Sequence, residues 1–174
     1  MNKGKIFIGL GVGIVLLMML AAASGTSTPK TIDQFINNYN KGLEKVIASR
    51  FKRAYKTVVD TCLINKVVTN VNGIKMQEIY VGDVAFMGRD YDKSFTASFA
   101  FNKKVDSKVI FSIIEAAILA AGDDYNSVMK SLGIMSGNQY SIPGEYNKEI
   151  TFNKNKYFLT SIDDMILLNI SIPK

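Results

Sequence analysis

The feature that most constrains this chain is an uncharged apolar run near its start. Ile6 to Ala23, 18 residues, carry no charge, and Lys3 and Lys5 precede them. As an α-helix the run would rise about 27 Å, close to the roughly 30 Å hydrocarbon core of a bilayer. Basic residues ahead of such a run are typical of export, with the basic flank left in the cytoplasm. Residues 1–25 are therefore predicted to direct the rest of the chain across a membrane.

Two fates of this segment remain open, cleavage and anchoring. The small residues Ala21–Ala23 suit a signal peptidase, and the residues that follow, 24–26, are small and polar. The run is nevertheless longer than the ~7–15 residues of most signal-peptide cores, which favours a retained anchor. We expect a secreted chain or one anchored through residues 6–23 with its N-terminus in the cytoplasm. A linker at 26–30 and one extracytoplasmic domain at 31–174 would follow.

The first element of the domain is predicted to be an amphipathic helix. Thr31 and Gln34 have the spacing of a capping box. Apolar residues then recur at helical spacing over about 17 residues, namely Ile32, Phe35, Ile36, Tyr39, Leu43, Val46 and Ile47. The end of this helix stays open, because residues 50–56 could extend it or begin the next element.

Three strands are predicted to follow this helix. Residues 57–69 are rich in Val, Thr and Ile, and Asn72-Gly73 after them suits a tight hairpin turn. We expect a second strand at 74–86, a turn at 87–90 and a third strand at 91–102. The third has the clearest pattern, because apolar and polar residues alternate along most of it.

A second helical region separates these strands from the end of the chain. Asp106 is placed to cap a helix that continues through Ala121, and apolar residues cover most of its circumference. This should be the central buried helix. Gly122 can end it, and Asp123 can cap a short helix that continues through Leu132.

Three more strands are predicted after these helices, at 147–152, 156–161 and 165–172, with turns at 153–155 and 163–164. The order is helix, three strands, one or two helices, three strands. It predicts an α+β fold in which a helix layer covers an antiparallel sheet, built from two αβββ halves.

The combined pattern resembles a class of small uncharacterised exported lipoproteins of Gram-positive bacteria. An export segment, an early helix with the aromatic-Asn pair Tyr39-Asn40 and a late apolar helix before short strands carry the resemblance. Those proteins usually have a lipidated cysteine at the cleavage point, whereas this chain has Ala23-Ser24 there. The resemblance therefore implies neither lipidation nor an activity.

Several kinds of catalytic and metal site are excluded by composition. The chain has no histidine and the single cysteine Cys62, so it can form no Ser-His-Asp or Cys-His site and no intrachain disulfide, and it has too few ligands for structural zinc. Cys62 falls in a predicted strand, where a buried thiol is expected. Ser49-Lys52 and Ser127-Lys130 match S-x-x-K spacing, but the companion motifs of serine-lysine enzymes are missing.

The paired acids Asp123-Asp124 and Asp163-Asp164 could serve as carboxylate catalysts or cation ligands. Their positions at a helix start and in a hairpin turn favour backbone capping instead. No Gly-rich phosphate loop and no dinucleotide fingerprint occurs in the sequence. We therefore expect no metal and no cofactor.

Positive charge is concentrated in one segment, which we call the basic segment, residues 41–56. The chain has a net charge of +6, and the segment holds six Lys and Arg residues against Glu44 alone. The candidate binding residues are Lys41, Lys45, Lys52, Arg53 and Lys56. The four lysines fall near one helical face, which could meet lipid headgroups, anionic cell-wall polymer or an acidic partner, or could simply be solvated. Nucleic acid is not expected outside the cytoplasm.

The sequence therefore predicts a non-enzymatic envelope module that binds a partner protein or an anionic surface polymer. One alternative is a carboxylate-dependent hydrolase or transferase with its site in a cleft between sheet and helices. Another is a structural subunit of an envelope assembly whose apolar N-terminus packs between copies.

Overall fold

The computed structural model describes residues 27–50, 55–80, 82–136 and 139–174. The predicted export segment, residues 1–25, lies outside these residues. Among the described helices, none is long and apolar enough to cross a membrane.

The described residues form four helices and nine strands. The helices are α1 (Ile32–Arg50), α2 (Tyr55–Cys62), α3 (Ser107–Ala120) and α4 (Tyr125–Leu132). The strands are β1 (Val68–Thr69), β2 (Lys75–Ile79), β3 (Val84–Asp90), β4 (Ser94–Asn102), β5 (Met135–Ser136), β6 (Gln139–Tyr140), β7 (Tyr146–Phe152), β8 (Asn155–Ile162) and β9 (Met165–Pro173).

Seven strands make one antiparallel sheet in the order β1-β2-β3-β4-β9-β8-β7, and β5 and β6 form a separate small hairpin. The last strands of the two halves, β4 and β9, pair with each other at the centre of the sheet, where Phe95 pairs with Ile172 and Phe99 with Leu168. The α+β class and the antiparallel sheet are therefore confirmed. The two halves differ, because the first contains the additional elements α2 and β1 and the second contains the additional strands β5 and β6.

The core lies between one face of the sheet and the helices. Alternation along β4 turns Phe95 and Phe99 inward, as the sequence predicts, and both are fully buried. The Phe95 ring centroid lies 6.1 Å from that of Phe35, and the Phe99 centroid 5.2 Å from that of Tyr39. Burial of each such ring contributes roughly 2–3 kcal/mol, which holds α1 on the sheet. The predicted central helix is confirmed as α3, where Ile113 is also fully buried.

Local capping chemistry starts the helices. The Gln34 N–H donates to Thr31 Oγ1 at 3.2 Å, and Gln34 Oε1 accepts from the Lys30 N–H at 2.7 Å. Asp106 Oδ1 accepts from the Lys108 N–H at 2.8 Å at the start of α3. The contacts of Thr31 and Asp106 satisfy free amides of the first turn, and they confirm both predicted helix starts.

The prediction of a strand at 57–69 is wrong over most of its length. Residues up to Cys62 belong to α2, and only Val68 and Thr69 form a strand. Val59 and Cys62 are buried, and their spacing of three places both on one face of a helix. Packing of α2 against α1 thus overrides the β preference of Val and Thr.

Two side chains of α1 fix the segment that leaves α2. The Tyr39 hydroxyl donates to the Cys62 carbonyl at 3.0 Å. Asn40 pairs with the backbone of Ile64 in both directions, since its Oδ1 accepts from the Ile64 N–H at 2.9 Å and its Nδ2 donates to the Ile64 carbonyl at 3.1 Å. The Tyr39-Asn40 pair therefore holds the chain where α2 passes into β1.

Two further boundaries differ from the prediction. The expected strand at 74–86 is two strands, β2 and β3, because the chain turns between them with Tyr80 at φ 57° and Gly82 at φ 82°. The expected turn at 87–90 lies inside β3, and the turn falls at 91–93. Gly88 occupies the strand because Ile32 lies against it, where an added Cβ would come within 2.6 Å of Ile32 Cγ1.

Candidate functional site

The described lysines of the basic segment are exposed. Lys41 and Lys45 lie four residues apart on the outer face of α1, so their side chains neighbour each other. Lys56, in the first turn of α2, is exposed as well. Ion pairs between described residues join Lys75 to Asp33 and Lys174 to Asp90, so within that part of the chain none of the three lysines is paired with a carboxylate.

The break between α1 and α2 changes the geometry of the basic segment. Because α1 ends at Arg50 and α2 begins at Tyr55, Lys56 lies on a different helix from Lys41 and Lys45. Of the described lysines, Lys41 and Lys45 therefore share one helical face, and Lys56 does not belong to it. Lys52 and Arg53 lie outside the described residues.

The two members of the acidic pair at the start of α4 have different roles. Asp124, not Asp123, is the N-cap, and its Oδ1 accepts from the Ser127 N–H at 2.8 Å. Asp123 is 5 % exposed and points into the protein. The prediction that Asp123 caps this helix is therefore wrong by one residue.

Three side chains donate to the buried Asp123 carboxylate. Its Oδ2 accepts from the Tyr157 hydroxyl at 2.5 Å and from Asn155 Nδ2 at 2.7 Å, and its Oδ1 accepts from Asn153 Nδ2 at 3.0 Å. Burial and the hydrogen bond to Asp123 raise the pKa of Tyr157 far above its usual range. This cluster joins the turn after α3 to the turn between β7 and β8.

The Asp123 cluster is built for structure, because both carboxylate oxygens already accept hydrogen bonds from the protein. A carboxylate that is committed in this way is poorly placed to take a substrate proton or bind a cation. Sequence reasoning missed the cluster. The signal in the sequence was the pair of adjacent aspartates, because a helix uses only one of them as its N-cap and leaves the other for a different role.

The other candidate groups that the structure describes make local contacts. Asp163 is an exposed turn residue at φ 48°, as the hairpin interpretation of Asp163-Asp164 predicts. Within the described residues, no three His, Cys, Asp or Glu side chains group closely enough to hold a metal ion. Ser49 Oγ donates to the Val46 carbonyl at 2.7 Å, and no hydrogen bond joins Ser127 to Lys130 in that part of the chain.

Cys62 is fully buried at the end of α2, not in a strand. Burial raises the pKa of Cys62 to about 11. Because the thiolate is the reactive form, this thiol is unreactive at neutral pH. The prediction of a buried thiol is confirmed.

The described surface includes two hollows that are open to solvent. One, of about 670 Å³, lies beside the turn between β3 and β4 and is lined by Asp90–Ser94 with Thr96 and Ser171. The other, of about 450 Å³, is lined by Ser107, Lys108, Phe111 and Tyr140. Neither lies between the sheet and the helices, where the enzymatic alternative places its cleft.

The sheet face turned away from the helices carries an exposed apolar row. Val68, Met76 and Met87 are 71 %, 46 % and 42 % exposed. They lie side by side, since Val68 pairs with Met76 and Met76 with Met87 across β1, β2 and β3. The sequence did not single out this row, because the strand boundaries that create it were predicted incorrectly.

Comparison with known proteins finds no match among protein-family models, curated proteins or solved structures. The resemblance to small exported lipoproteins therefore stays a prediction.

Proposed function

We propose that this chain is a non-enzymatic binding module of a bacterial-type cell envelope. Residues 6–23 hold it at the membrane or are cleaved after export, and the basic segment binds an anionic surface polymer or an acidic protein partner. The observation that supports binding most directly is the exposure of Lys41, Lys45 and Lys56 without a carboxylate partner among the described residues.

The stability of the fold does not account for this arrangement. Like charges four residues apart weaken a helix by roughly 0.2–0.5 kcal/mol. Lys41 and Lys45 also lie ahead of the last turn of α1, so the helix dipole offers them little stabilisation. Exposed lysines that have no ion pair among the described residues suit a polyanionic ligand, whose repeated charges they can meet together.

Groups that would support the enzymatic alternative are already committed elsewhere. Asp123 accepts three hydrogen bonds within the protein, and the Cys62 thiol is buried. The hollow beside the turn between β3 and β4 is lined by hydroxyl side chains and by Asp90 and Asp92, but it is open to solvent and lies outside the space between sheet and helices. These observations favour the binding module.

A charge-matched pair of variants tests the proposal. In the first, Lys41, Lys45, Lys52 and Lys56 are changed to Gln. In the second, four exposed lysines elsewhere are changed to Gln, namely Lys104, Lys130, Lys148 and Lys156. Polyphosphate serves as the polymer probe and polyglutamate as the acidic-protein probe.

We expect the first variant to lose binding to at least one probe and the second to retain most of it. Both should unfold within a few degrees of the wild type, since exposed charges contribute about 0.5 kcal/mol or less each. Wild-type binding should weaken from low to physiological salt, because screening shortens the reach of the charges. Equal binding by the wild type and the first variant would contradict the proposal.

A further inference from the structure

We propose that one end of the sheet faces the membrane surface and its anionic lipid headgroups. This end, called here the hairpin end, consists of the turn 91–93, the turn Asn153–Lys154 and the C-terminal Lys174. The inference rests on the proposed function, in its form with residues 6–23 retained as an anchor.

The chain between the apolar run and the domain is short. Pro29 is already buried in the domain, and the Lys30 N–H is bonded to Gln34. Only residues 24–28, five in number, separate Ala23 from Pro29. At no more than about 3.6 Å per residue, they hold the domain within roughly 20 Å of the end of the apolar run.

The chain joins the domain beside the hairpin end. Ile32 packs directly against Gly88, two residues before β3 ends at Asp90, a separation of about 7 Å along the strand. Asp33, the next residue, forms an ion pair with Lys75 at the first position of β2. A short tether at this point brings the hairpin end, rather than the opposite end of the strands, toward the bilayer.

The strand register places residues from both halves of the sheet at the hairpin end. Ser94 pairs with Pro173, and Lys156 with Ser171, so the β3–β4 turn, the β7–β8 turn and the C-terminus lie together. The Lys174 N–H donates to the Lys93 carbonyl at 3.0 Å. The opposite end, with the turn Asp163-Asp164, lies about 30 Å away, the length of a nine-residue strand.

The two ends differ in the chemistry they offer to a membrane. Arg89 stacks on Tyr91 at 5.0 Å from the ring centroid, and Tyr91 is 46 % exposed. Lys93 and Lys154 are exposed nearby, and these cations with Arg89 outnumber the exposed carboxylates of this end, Asp92 and the Asp90 that pairs with Lys174. Tyrosine and basic side chains are characteristic of the headgroup level, where the aliphatic stem or ring contacts lipid and the polar end stays hydrated.

The opposite end exposes the carboxylates of Asp83, Asp163 and Asp164 against the single exposed cation Lys104, so its excess charge is negative and anionic headgroups repel it. Because α1 begins at the hairpin end, Lys41 and Lys45 lie roughly 14–20 Å along that helix from Ile32. They therefore face partners beyond the headgroups, such as polymer or protein, more readily than the lipid of the anchoring membrane.

The orientation can be measured on the full-length chain in vesicles of mixed zwitterionic and anionic phospholipid that contain a headgroup-attached quencher. A fluorophore is placed at one of two exposed sites by Lys93→Cys or Asp163→Cys. The wild type, whose Cys62 is buried, controls for labelling elsewhere. We expect the fluorophore at position 93 to be quenched several-fold more than the one at position 163.

A third variant tests whether the tether causes this difference. Twelve Gly and Ser residues inserted after Gly25 should reduce the ratio of quenching between the two sites. Equal quenching in a chain that stays in the vesicle fraction, or stronger quenching at position 163, would overturn the orientation and leave the anchoring intact. Loss of the chain from the vesicle fraction would overturn both.

Discussion

Gly88 offers a direct test of how α1 sits on the sheet. An added Cβ at this position would lie 2.6 Å from Ile32 Cγ1, 2.8 Å from Ile32 Cδ1 and 3.0 Å from Phe86 Cζ. Ordinary carbon contacts are about 3.5–4.0 Å, so the Ile32 side chain would have to move by roughly an ångström. Overpacking of this kind typically costs 1–3 kcal/mol, and we expect Gly88→Ala to lower the free energy of unfolding by about that amount.

A double-mutant cycle separates this clash from any other effect of alanine in β3. Ile32→Ala removes both of the nearest atoms and by itself should cost about 2–5 kcal/mol through lost burial. Once Ile32 is truncated, Gly88→Ala should add almost nothing, which corresponds to a coupling of about 1–3 kcal/mol between the two positions. Urea denaturation followed by circular dichroism measures all four free energies.

Gly144→Ala is the matched control, because an added Cβ there meets no heavy atom within 4 Å. Its effect should stay within about 0.5 kcal/mol. The contact between Ile32 and Gly88 is contradicted if Gly88→Ala is as stable as Gly144→Ala, or if the costs of Gly88→Ala and Ile32→Ala simply add. Either result would mean that the first turn of α1 does not pack on β3, and it would remove the geometric basis for the membrane-facing hairpin end.

Two further predictions concern buried groups. Asp123→Ala should destabilise the fold more than Asp124→Ala. The first change leaves three donors without their acceptor, at about 1–3 kcal/mol for each buried donor, whereas loss of the helix cap costs about 1 kcal/mol. Equal denaturation midpoints of the two variants would contradict this. Burial raises the pKa of Cys62 from its ordinary 9.0 to about 11, so its contribution to stability is full below pH 9 and is lost as the pH rises to 11. The free energy of unfolding of the wild type should therefore fall by on the order of 2–3 kcal/mol relative to that of Cys62→Ala between pH 9 and pH 11. Parallel pH profiles of this free energy for the two proteins would exclude the effect.

Interactions between residues close in sequence could be predicted without the structure. Thr31 and Asp106 start helices because a side-chain oxygen accepts from an amide two or three residues on. Alternation over Ser94–Asn102 marks a strand with one buried face, and the turn at Asp163-Asp164 follows from the same local chemistry. The spacing of Lys41 and Lys45 on α1 likewise follows from helical periodicity.

Interactions between distant residues were decided only by tertiary structure. Whether residues 57–62 form a strand or a helix depends on α1, against which Val59 and Cys62 pack, since local preference differs by only a fraction of a kcal/mol per residue. Of two adjacent acids, Asp123 is buried because Asn153, Asn155 and Tyr157, about thirty residues later, supply its donors.

Tertiary structure also decided the role of Gly88 and the placement of the candidate binding residues. Gly88 reads as a turn residue until Ile32, fifty-six positions earlier, is placed against it. Sequence periodicity put Lys56 on one face with Lys41, whereas a new helix that begins at Tyr55 separates them. Caps, alternation and short turns depend on the nearest few residues, so the sequence alone determined them. The partner of a buried group depends on chain packing that no local pattern records.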